Sequence, residues 1–258
     1  NEMDSRVFVT SGPALTRGSD LVGTLTRMQP RDILFIDEIH RLPVSVEEYI
    51  YPAMEDFKID FTLDSGMHAK VVTYQLKPFT LIGATTRAGL LTSALRSRFG
   101  ISHRLEYYNV EELEAILERA MDRLRLKEIT ADARLRIAER SRGTPRICLR
   151  LLRRVRDFAQ VRNQGHIDTE VVTDALALEG VDEIGLDALD RTYLQTIQKV
   201  YSGGPVGLEA VAATMGEDAG TLEDLVEPYL LQIGHLARTR QGRQLTDAAK
   251  EWLATSAK

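Results

Sequence analysis

Four apolar residues and two carboxylates stand together in the sequence Ile33-Leu34-Phe35-Ile36-Asp37-Glu38. The apolar run is typical of a strand buried in a parallel sheet, and such sheets bind ligands at the carboxyl ends of their strands. There Asp37 would hold the hydrated Mg²⁺ of a nucleotide, and Glu38 would orient and deprotonate an attacking water. An ordinary strand that ends in a polar loop has the same pattern, so the acidic pair alone leaves both interpretations open.

Outward from this strand, short β-rich runs alternate with helical stretches up to about residue 108. This alternation predicts an α/β fold in which a parallel sheet is flanked by helices. The predicted strands cover residues 7–10, 33–36, 80–83 and 103–105. Residues 57–76 alternate in hydrophobicity on both sides of Gly66, which predicts a β-hairpin inserted into the α/β layer.

Hydroxyl and guanidinium side chains follow the predicted strand at 80–83. Thr86 stands where a hydroxyl can hydrogen-bond a γ-phosphate or the attacking water, although threonine is also common at strand ends for ordinary reasons. Arg96 and Arg98 stand near the end of a helix, from which an arginine can reach a neighbouring subunit and stabilise phosphoryl transfer. Solvated arginines, or favourable charges at a helix carboxyl end, would give the same sequence.

Amphipathic periodicity predicts a small helical domain next, with helices over residues 110–125, 131–142, 145–162 and 169–178. Gly143 is expected to end one helix, and Thr144 with Pro145 to start another as N-cap and first helical residue. Arg146 then lies in a first turn, where a cation opposes the helix dipole, which hints at an anionic partner such as a phosphate. The other arginines of this helix are expected to form a solvated face.

The last third of the chain predicts a winged helix, with helices at 189–201, 208–215 and 221–232 and a hairpin at 234–246. Five carboxylates crowd the third helix and the turn before it, and no lysine or arginine in that segment offsets them: Glu217, Asp218, Glu223, Asp224 and Glu227. Such a helix would repel phosphates, so sequence-specific reading by it is not expected.

The hairpin has the opposite character, because residues 236–243 hold three arginines and no acid. We expect Arg238, Arg240 and Arg243 to grip backbone phosphates without regard to sequence. A charged surface hairpin with no ligand would have the same composition.

Several long motifs together resemble the RuvB family, the bacterial Holliday-junction branch-migration motors of the AAA+ class. They read FIDEIHRL, YPAMEDF, TLIGATTRAGLLTSALRSRFG, GTPRI, RLLRRVRDFA, GGPVGLEAVA and EPYLLQIG. The resemblance runs from about Val7 to Trp252, essentially the whole chain.

The resemblance implies a role for each candidate side chain. Asp37 and Glu38 match the Walker B pair, with Asp37 holding Mg²⁺ through water, and Thr86 matches sensor 1. Arg98 matches the arginine finger that acts on a neighbour's ATP, and Arg146 matches the nucleotide-binding sensor 2. The cofactors implied are ATP and Mg²⁺.

The same resemblance implies partners and a division of the chain. The partners are Holliday-junction or double-stranded DNA, the junction-binding protein RuvA at the hairpin over 57–76, the RuvC resolvase in the wider complex, and five further copies in a homohexamer. Residues 1–108 would form a partial AAA+ core, 109–183 a helical lid and 184–258 a winged-helix DNA-binding domain. The activity implied is ATP-driven DNA translocation in recombination and repair.

Composition narrows the class of protein. The net charge of −5 argues against a surface covered with phosphate-binding groups, although a local basic patch can still bind DNA. The apolar runs are too short to cross a bilayer and no signal segment opens the chain, so a cytoplasmic protein without membrane contact is expected. The single cysteine, Cys148, is expected to be a small core residue.

One family motif is missing, since no G-x-x-x-x-G-K-[ST] loop to cradle phosphates occurs in the 258 residues. In the family this loop lies just upstream of the matching region, and the chain begins with Asn1, so truncation and weak or absent nucleotide binding are expected. The alternatives are a non-hydrolysing fragment or degenerate subunit that binds DNA and RuvA, and a transcription regulator built on the winged helix. The acidic third helix argues against the regulator.

Overall fold

The computed structural model describes residues 4–62, 71–124, 126 and 129–256. They fall into two compact units, Asn1–Arg104 and Leu105–Lys258. In the part of the chain described, no helix is both long and apolar enough to cross a membrane.

The first unit is built on a parallel three-stranded sheet, in which the strand at 33–37 lies between those at 7–11 and 80–83. Its strands are β1 (Val7–Ser11), β2 (Ile33–Asp37) and β5 (Thr80–Gly83). Helices α1 (Gly18–Leu25), α2 (Val44–Glu55) and α3 (Ser93–Arg98) complete this layer, and short 3₁₀ turns cover Gly12–Ala14, Ile39–Arg41 and Ala88–Leu90. The predicted α/β arrangement and its strands at 7–10, 33–36 and 80–83 are confirmed.

One face of this sheet forms the core of the first unit. Leu34 and Ile36 are buried with residues of α1 and α2, among them Leu21 and Ile50. The other face is open, since Val7, Val9 and Ile82 are exposed there, in the first unit as described. Burial on one face therefore fixes the register of the central strand β2, whose carboxyl end delivers the acidic pair.

The predicted hairpin is confirmed as the antiparallel pair β3 (Lys58–Thr62) and β4 (Val71–Gln75). Ile59 anchors the hairpin in the core of the first unit, and Thr73 Oγ1 donates a hydrogen bond of 2.5 Å to Asp60 Oδ1 across the strands. The predicted turn at Gly66 lies outside the described residues.

The predicted strand at 103–105 is wrong. These residues have no strand structure and pair with none of the described strands, and Leu105 is 92% exposed. An isolated extended segment has no partner for its backbone groups, so an apolar residue in it does not by itself produce a strand.

The second unit begins with four helices around a shared core: α4 (Val110–Leu124), α5 (Ala131–Glu139), α6 (Pro145–Arg162) and α7 (Thr169–Leu178). Cys148 lies in this core as expected, and burial raises the pKa of its thiol. The predicted helical domain is therefore confirmed, apart from two details before α6.

Those details concern α5 and the start of α6. Helix α5 ends at Glu139 and not at residue 142, since Arg142 and Gly143 take left-handed backbone angles, with φ of 54° and 64°. Helix α6 does begin at Pro145, but the Thr144 hydroxyl donates to the Arg142 carbonyl oxygen (3.2 Å) and accepts no hydrogen bond from the helix. The tight turn before the helix holds the hydroxyl away from the amides it was expected to cap.

The winged helix follows in the same unit. Its helices are α8 (Ala188–Tyr201), α9 (Leu208–Met215), α10 (Ala219–Thr221), α11 (Glu227–Gln232) and α12 (Asp247–Ser256), and its wing is β6 (Leu236–Thr239) with β7 (Gly242–Leu245). The prediction of three helices and a wing is confirmed, and α12 was not foreseen.

The predicted continuous helix at 221–232 is interrupted by a π-helical turn at Leu222–Val226. Pro228 accounts for the interruption, because its ring has no N–H to donate to the Asp224 carbonyl and would clash with it in an α-helix. Widening the turn removes that clash and allows the helix to resume as α11.

We predict that Leu152→Ala, in the core of the helical domain, lowers the free energy of unfolding by about 2–5 kcal/mol, because it leaves a cavity where a fully buried side chain packs. Leu178→Ala removes the same atoms from an exposed position on α7 and should change stability by about 0.5 kcal/mol or less. Urea denaturation checks both, and equal losses would contradict the assigned core.

Candidate functional site

Three of the predicted site residues come together at the carboxyl edge of the parallel sheet. Asp37 is the last residue of β2 and is exposed, and Glu38 follows it. Thr86, beyond the end of β5, places its Oγ1 3.4 Å from Glu38 Oε2 and donates to it. Because β2 and β5 are parallel neighbours, both chain segments leave the sheet at the same edge.

The backbone of the acidic pair is held in an unusual conformation. Glu38 has left-handed angles (φ 48°, ψ 45°), which a residue other than glycine adopts at a cost of about 1 kcal/mol. Its amide donates to Asp37 Oδ1 at 3.0 Å, and a side chain at Gly12 would overlap the Glu38 carbonyl oxygen. The close approach of Gly12 supports the turn that separates the two carboxylates. Strained residues of this kind cluster at functional sites.

A histidine that sequence reasoning did not single out completes this cluster. His40 is largely buried in the 3₁₀ turn, and its Nδ1 lies 3.3 Å from Glu38 Oε2 and 2.8 Å from Thr85 Oγ1. Both threonines after β5 therefore reach Glu38, Thr86 directly and Thr85 through His40. In the sequence, the only indication of this role is that His40 follows the acidic pair by two residues. Local patterns could not connect it with Thr85, which is 45 positions away.

Arg98 lies in the same unit, at the end of α3, where several neighbouring groups hold its side chain. Its Nε is 3.0 Å from Glu55 Oε1, its Nη1 donates to the Ala94 carbonyl oxygen at 2.8 Å, and its guanidinium lies over the Tyr51 ring at 4.4 Å. These contacts leave the side chain partly exposed. The arginine is thus oriented, while part of its surface stays available.

A buried carboxylate on α2 fixes the surroundings of Arg98. Glu47 Oε2 accepts hydrogen bonds from Tyr51 Oη (2.6 Å) and from Thr92 Oγ1 (2.9 Å), and Thr92 also caps α3. Burial and the hydrogen bond to Glu47 raise the pKa of Tyr51 above its ordinary value. The network joins α2 to the helix that carries Arg98.

Arg146 belongs to the second unit, in the first turn of α6 as predicted. It is exposed and makes no hydrogen bond or ion pair with the residues that the structure describes. A cation that faces the positive end of a helix without a protein partner remains available to an anion.

The wing places two of its three predicted arginines on an internal carboxylate. Glu227, 0% exposed, accepts from Arg243 Nε (2.8 Å), Arg238 Nε (2.7 Å) and Tyr193 Oη (2.6 Å). Glu223 lies near the same guanidinium groups at 3.5–3.8 Å. The acidic helix has no cations in its own segment, but the hairpin folds back onto it and its arginines compensate Glu227.

The charges in this cluster shift its titration. Burial alone would raise the pKa of Glu227, but hydrogen bonds from Arg243 and Tyr193 and the charge of Arg238 hold it below its ordinary value. Burial and the hydrogen bond to Glu227 raise the pKa of Tyr193. The carboxylate is thus ionised at neutral pH and ties the wing to α11.

Arg240 is the third predicted wing arginine and stands apart. It lies exposed in the turn between β6 and β7 and has no hydrogen-bonding or ion-pair partner within the described ranges. The wing therefore has two arginines occupied by Glu227 and one free to meet a ligand.

Family models match successive parts of the chain. Residues 1–105 match the Holliday junction DNA helicase RuvB P-loop domain, residues 108–182 the RuvB AAA lid domain, and residues 183–254 the RuvB C-terminal winged helix domain. All three matches are to one family and follow one another in order.

Individual proteins give the same result. The Holliday junction branch migration complex subunit RuvB of Desulfosudis oleivorans is 53% identical over 248 residues, covering 96% of this chain and 72% of that protein. The Thermotoga maritima RuvB Holliday junction branch migration motor has a solved structure with a TM-score of 0.84 and 47% identity, covering 96% of this chain and 78% of that one. A mutant of the same Thermotoga protein gives a TM-score of 0.85 and 48% identity over 96% and 78% of the two chains.

We predict that Glu227→Gln lowers the free energy of unfolding at pH 7 by about 2–4 kcal/mol, the low end for buried pairs because Arg238 stays 42% exposed. The folded-state pKa of Glu227 is lowered, so its contribution is full above the ordinary value of 4.5 and is lost as the pH falls further. Urea denaturation from pH 7 to pH 3 measures the difference between the two proteins.

Glu223→Gln is the matched control, since Glu223 faces the same arginines from a partly exposed position at 3.5 Å or more. Its cost should be about 1 kcal/mol or less. A Glu227→Gln deficit that stayed constant down to pH 3 would show that ionisation of Glu227 does not stabilise the wing.

Proposed function

Because this chain belongs to the RuvB family, we propose that it is an ATP-dependent DNA translocase subunit that drives Holliday-junction branch migration in recombination and DNA repair. The observation that carries the proposal is the contact of Thr86 with Glu38 beside exposed Asp37, at the ligand edge of a parallel sheet. The nucleic acid on which it would act is DNA, which in a bacterium lies in the cytoplasm, and we propose that location for the protein.

The acidic pair suits Mg²⁺ and ATP. In the described residues no three His, Cys, Asp or Glu side chains are grouped to enclose a metal ion, and a lone exposed carboxylate such as Asp37 fits an ion that keeps its water and phosphate ligands. ATP with Mg²⁺, when bound, supplies the phosphoryl group that passes to water. Glu38 would take the proton of that water at a carboxylate oxygen, and Thr86 would orient it or the γ-phosphate.

We assign Arg98 to the site of the neighbouring copy in a homohexamer. Glu55 and Tyr51 orient its guanidinium, which leaves a partly exposed cation able to stabilise the charge of phosphoryl transfer. Arg146, which has no partner among the described residues, is assigned to the phosphates of its own nucleotide.

The phosphate-binding loop expected of an ATPase is missing from these residues. The family model for residues 1–105 is named for a P-loop domain, yet the 258 residues contain no G-x-x-x-x-G-K-[ST] sequence. We therefore propose that these residues alone bind ATP weakly and hydrolyse little of it. The other candidate catalytic and nucleotide-binding residues are all present: Asp37, Glu38, Thr86, Arg98 and Arg146. Their presence favours a hydrolysing parent protein over a degenerate subunit.

For DNA, we propose that Arg240 contacts backbone phosphates of double-stranded or junction DNA. Arg238 and Arg243 keep the wing rigid through Glu227, so their contribution to DNA binding would be mainly structural. A backbone contact carries no sequence information, which suits a translocase that must pass any sequence.

The hairpin β3–β4 is the candidate docking surface for a protein partner. We propose that the hairpin β3–β4, within residues 57–76, docks RuvA, and that RuvC joins the wider complex. Tyr74 is an exposed aromatic side chain on this hairpin, of the kind that anchors protein interfaces. Residues 1–108, 109–183 and 184–258 would serve as ATPase core, lid and DNA-binding domain.

A chimera, in which a G-x-x-x-x-G-K-[ST] segment from a RuvB relative precedes residue 1, tests the ATPase assignment. We predict that Glu38→Gln abolishes its ATP turnover but spares ATP binding, and that Arg98→Ala lowers turnover about 1,000-fold or more. Mixing the two inactive variants should restore part of the turnover, because one copy then supplies Glu38 and its neighbour supplies Arg98.

The controls for this experiment are the unmodified 258 residues, which should show little turnover, and Arg96→Ala, which removes a neighbouring guanidinium of α3. Arg96→Ala should keep most of the activity. Full turnover by Glu38→Gln, or a mixture that stays inactive although each variant binds the other, would contradict the assigned roles.

We predict that Arg240→Ala weakens binding of the 258-residue chain to duplexes of unrelated sequence by the same factor, and that the salt dependence becomes less steep by about one counterion. Fluorescence anisotropy at several salt concentrations measures both quantities. Lys199→Ala removes an exposed cation from α8, outside the wing, and should have little effect. A loss that depended on sequence would rule out a backbone contact.

A further inference from the structure

Arg142 lies four residues before Arg146, in the turn that leads from α5 into α6. Arg142 and Gly143 both have left-handed backbone angles, so the chain reverses direction between the helices. The reversal directs the Arg142 side chain out of the helical domain and into the winged helix, where it is almost fully enclosed.

Within the winged helix the guanidinium of Arg142 meets four different groups. Its Nε donates to the Gly185 carbonyl oxygen at 2.7 Å, and its Nη2 donates to Asp190 Oδ2 at 2.5 Å and lies 3.2 Å from Asp187 Oδ2. Its Cζ lies over the Tyr229 ring, 5.0 Å from the ring centroid. These groups come from the segment before α8, from α8 itself and from α11. One side chain of the helical domain thus joins three parts of the winged helix.

The carboxylate at the centre of these contacts is enclosed. Asp190 is 1% exposed and closes a capping box with Asp187 at the start of α8. Burial raises the pKa of Asp190 to about 6 even with Arg142 beside it, and Arg142 and Asp187 are the charged groups that face it. Arg142 therefore provides the positive charge that compensates a carboxylate enclosed at the start of α8.

The backbone around this contact is packed closely as well. The Gly143 carbonyl oxygen accepts from the Tyr108 amide at 2.9 Å, and a Cβ at Gly143 would lie 2.7 Å from Tyr107 Cβ and 3.3 Å from Gln232 Nε2. A Cβ at Gly185 would lie 2.9 Å from the Arg140 carbonyl oxygen. Residues on both sides of Arg142 therefore pack closely against the winged helix at Gln232 and Gly185.

We propose that Arg142 is a positioning residue that joins the turn carrying Arg146 to the winged helix, so that a displacement of Arg146 by the nucleotide moves the DNA-gripping wing with it. The link itself follows from the contacts of Arg142, whereas its use in coupling rests on the proposed function of Arg146 and Arg240. Arg142 acts through these residues and touches neither nucleotide nor DNA.

The link is tested on the 258-residue chain with spin labels at Val161→Cys on α6 and Val200→Cys on α8, which replace exposed side chains. Cys148 is buried and stays unlabelled. Double electron–electron resonance should give one narrow distance distribution for the parent. Arg142→Gln should broaden this distribution, because the shorter glutamine side chain cannot reach Gly185 and Asp190 together. It also carries no charge and cannot form an ion pair with Asp190.

Conservative and control variants sharpen this measurement. Arg142→Lys keeps the charge but not the paired donors of the guanidinium, so its distribution should lie between those of the parent and Arg142→Gln. Arg150→Gln, at an exposed arginine of α6 without a partner in the described part of the chain, should match the parent. A parental distribution for Arg142→Gln would overturn the proposal. If circular dichroism shows that Arg142→Gln is unfolded, a parental distribution for Arg142→Lys would overturn it instead.

The coupling is tested in the chimera as the ratio of ATP turnover with DNA to turnover without it. We expect Arg142→Gln to lower this ratio towards one, Arg142→Lys to restore part of it, and Arg150→Gln to leave it unchanged. An unchanged ratio in an Arg142→Gln variant with broadened distances would overturn the coupling. Absence of turnover in the parent chimera would instead contradict the proposed function, while the distance measurement would still decide whether Arg142 forms the link.

Discussion

Enclosing a carboxylate in protein costs several kcal/mol unless a cation or a set of hydrogen bonds replaces the lost water, and this constraint shapes both units of the chain. Glu47, Asp190 and Glu227 are all buried, and each is satisfied by side chains of another element. Thr92 brings the start of α3 to Glu47, Arg142 brings the helical domain to Asp190, and the wing is drawn to Glu227. The positions of these elements therefore depend on where three charges lie.

Four arginines of the second unit form two groups according to whether a buried carboxylate holds them. Arg142 and Arg243 are largely buried and hold carboxylates, whereas Arg146 and Arg240 stand three or four residues away along the chain, exposed and without partners among the described residues. An arginine held by a buried acid fixes the local backbone, so the free arginine nearby starts from a defined position. Less conformational entropy is then lost when it meets a phosphate.

The sequence predicted what depends on local periodicity and on the geometry of parallel strands. Asp37, Glu38 and Thr86 could be grouped because neighbouring strands leave a sheet at one edge, and the long helices follow from their apolar spacing. The partners of Glu227 could not be found in this way, because the return of the wing onto the third helix is a tertiary event. Residues 103–105 failed for a related reason: an apolar residue among polar ones says nothing about whether a neighbouring strand is there to pair.

The π-helical turn at Leu222–Val226 implies a constraint on length that is separate from residue identity. Each helical residue rotates the chain by about 100°, so the extra residue of the turn sets which side of α11 faces inward. Deletion of one residue here would keep a sequence able to form a helix but would rotate Glu227 towards solvent. Arg238 and Arg243 would then lose their carboxylate partner. During evolution, substitutions at exposed Leu225 would be tolerated. Single-residue insertions and deletions in this turn would be removed by selection, because they would rotate α11.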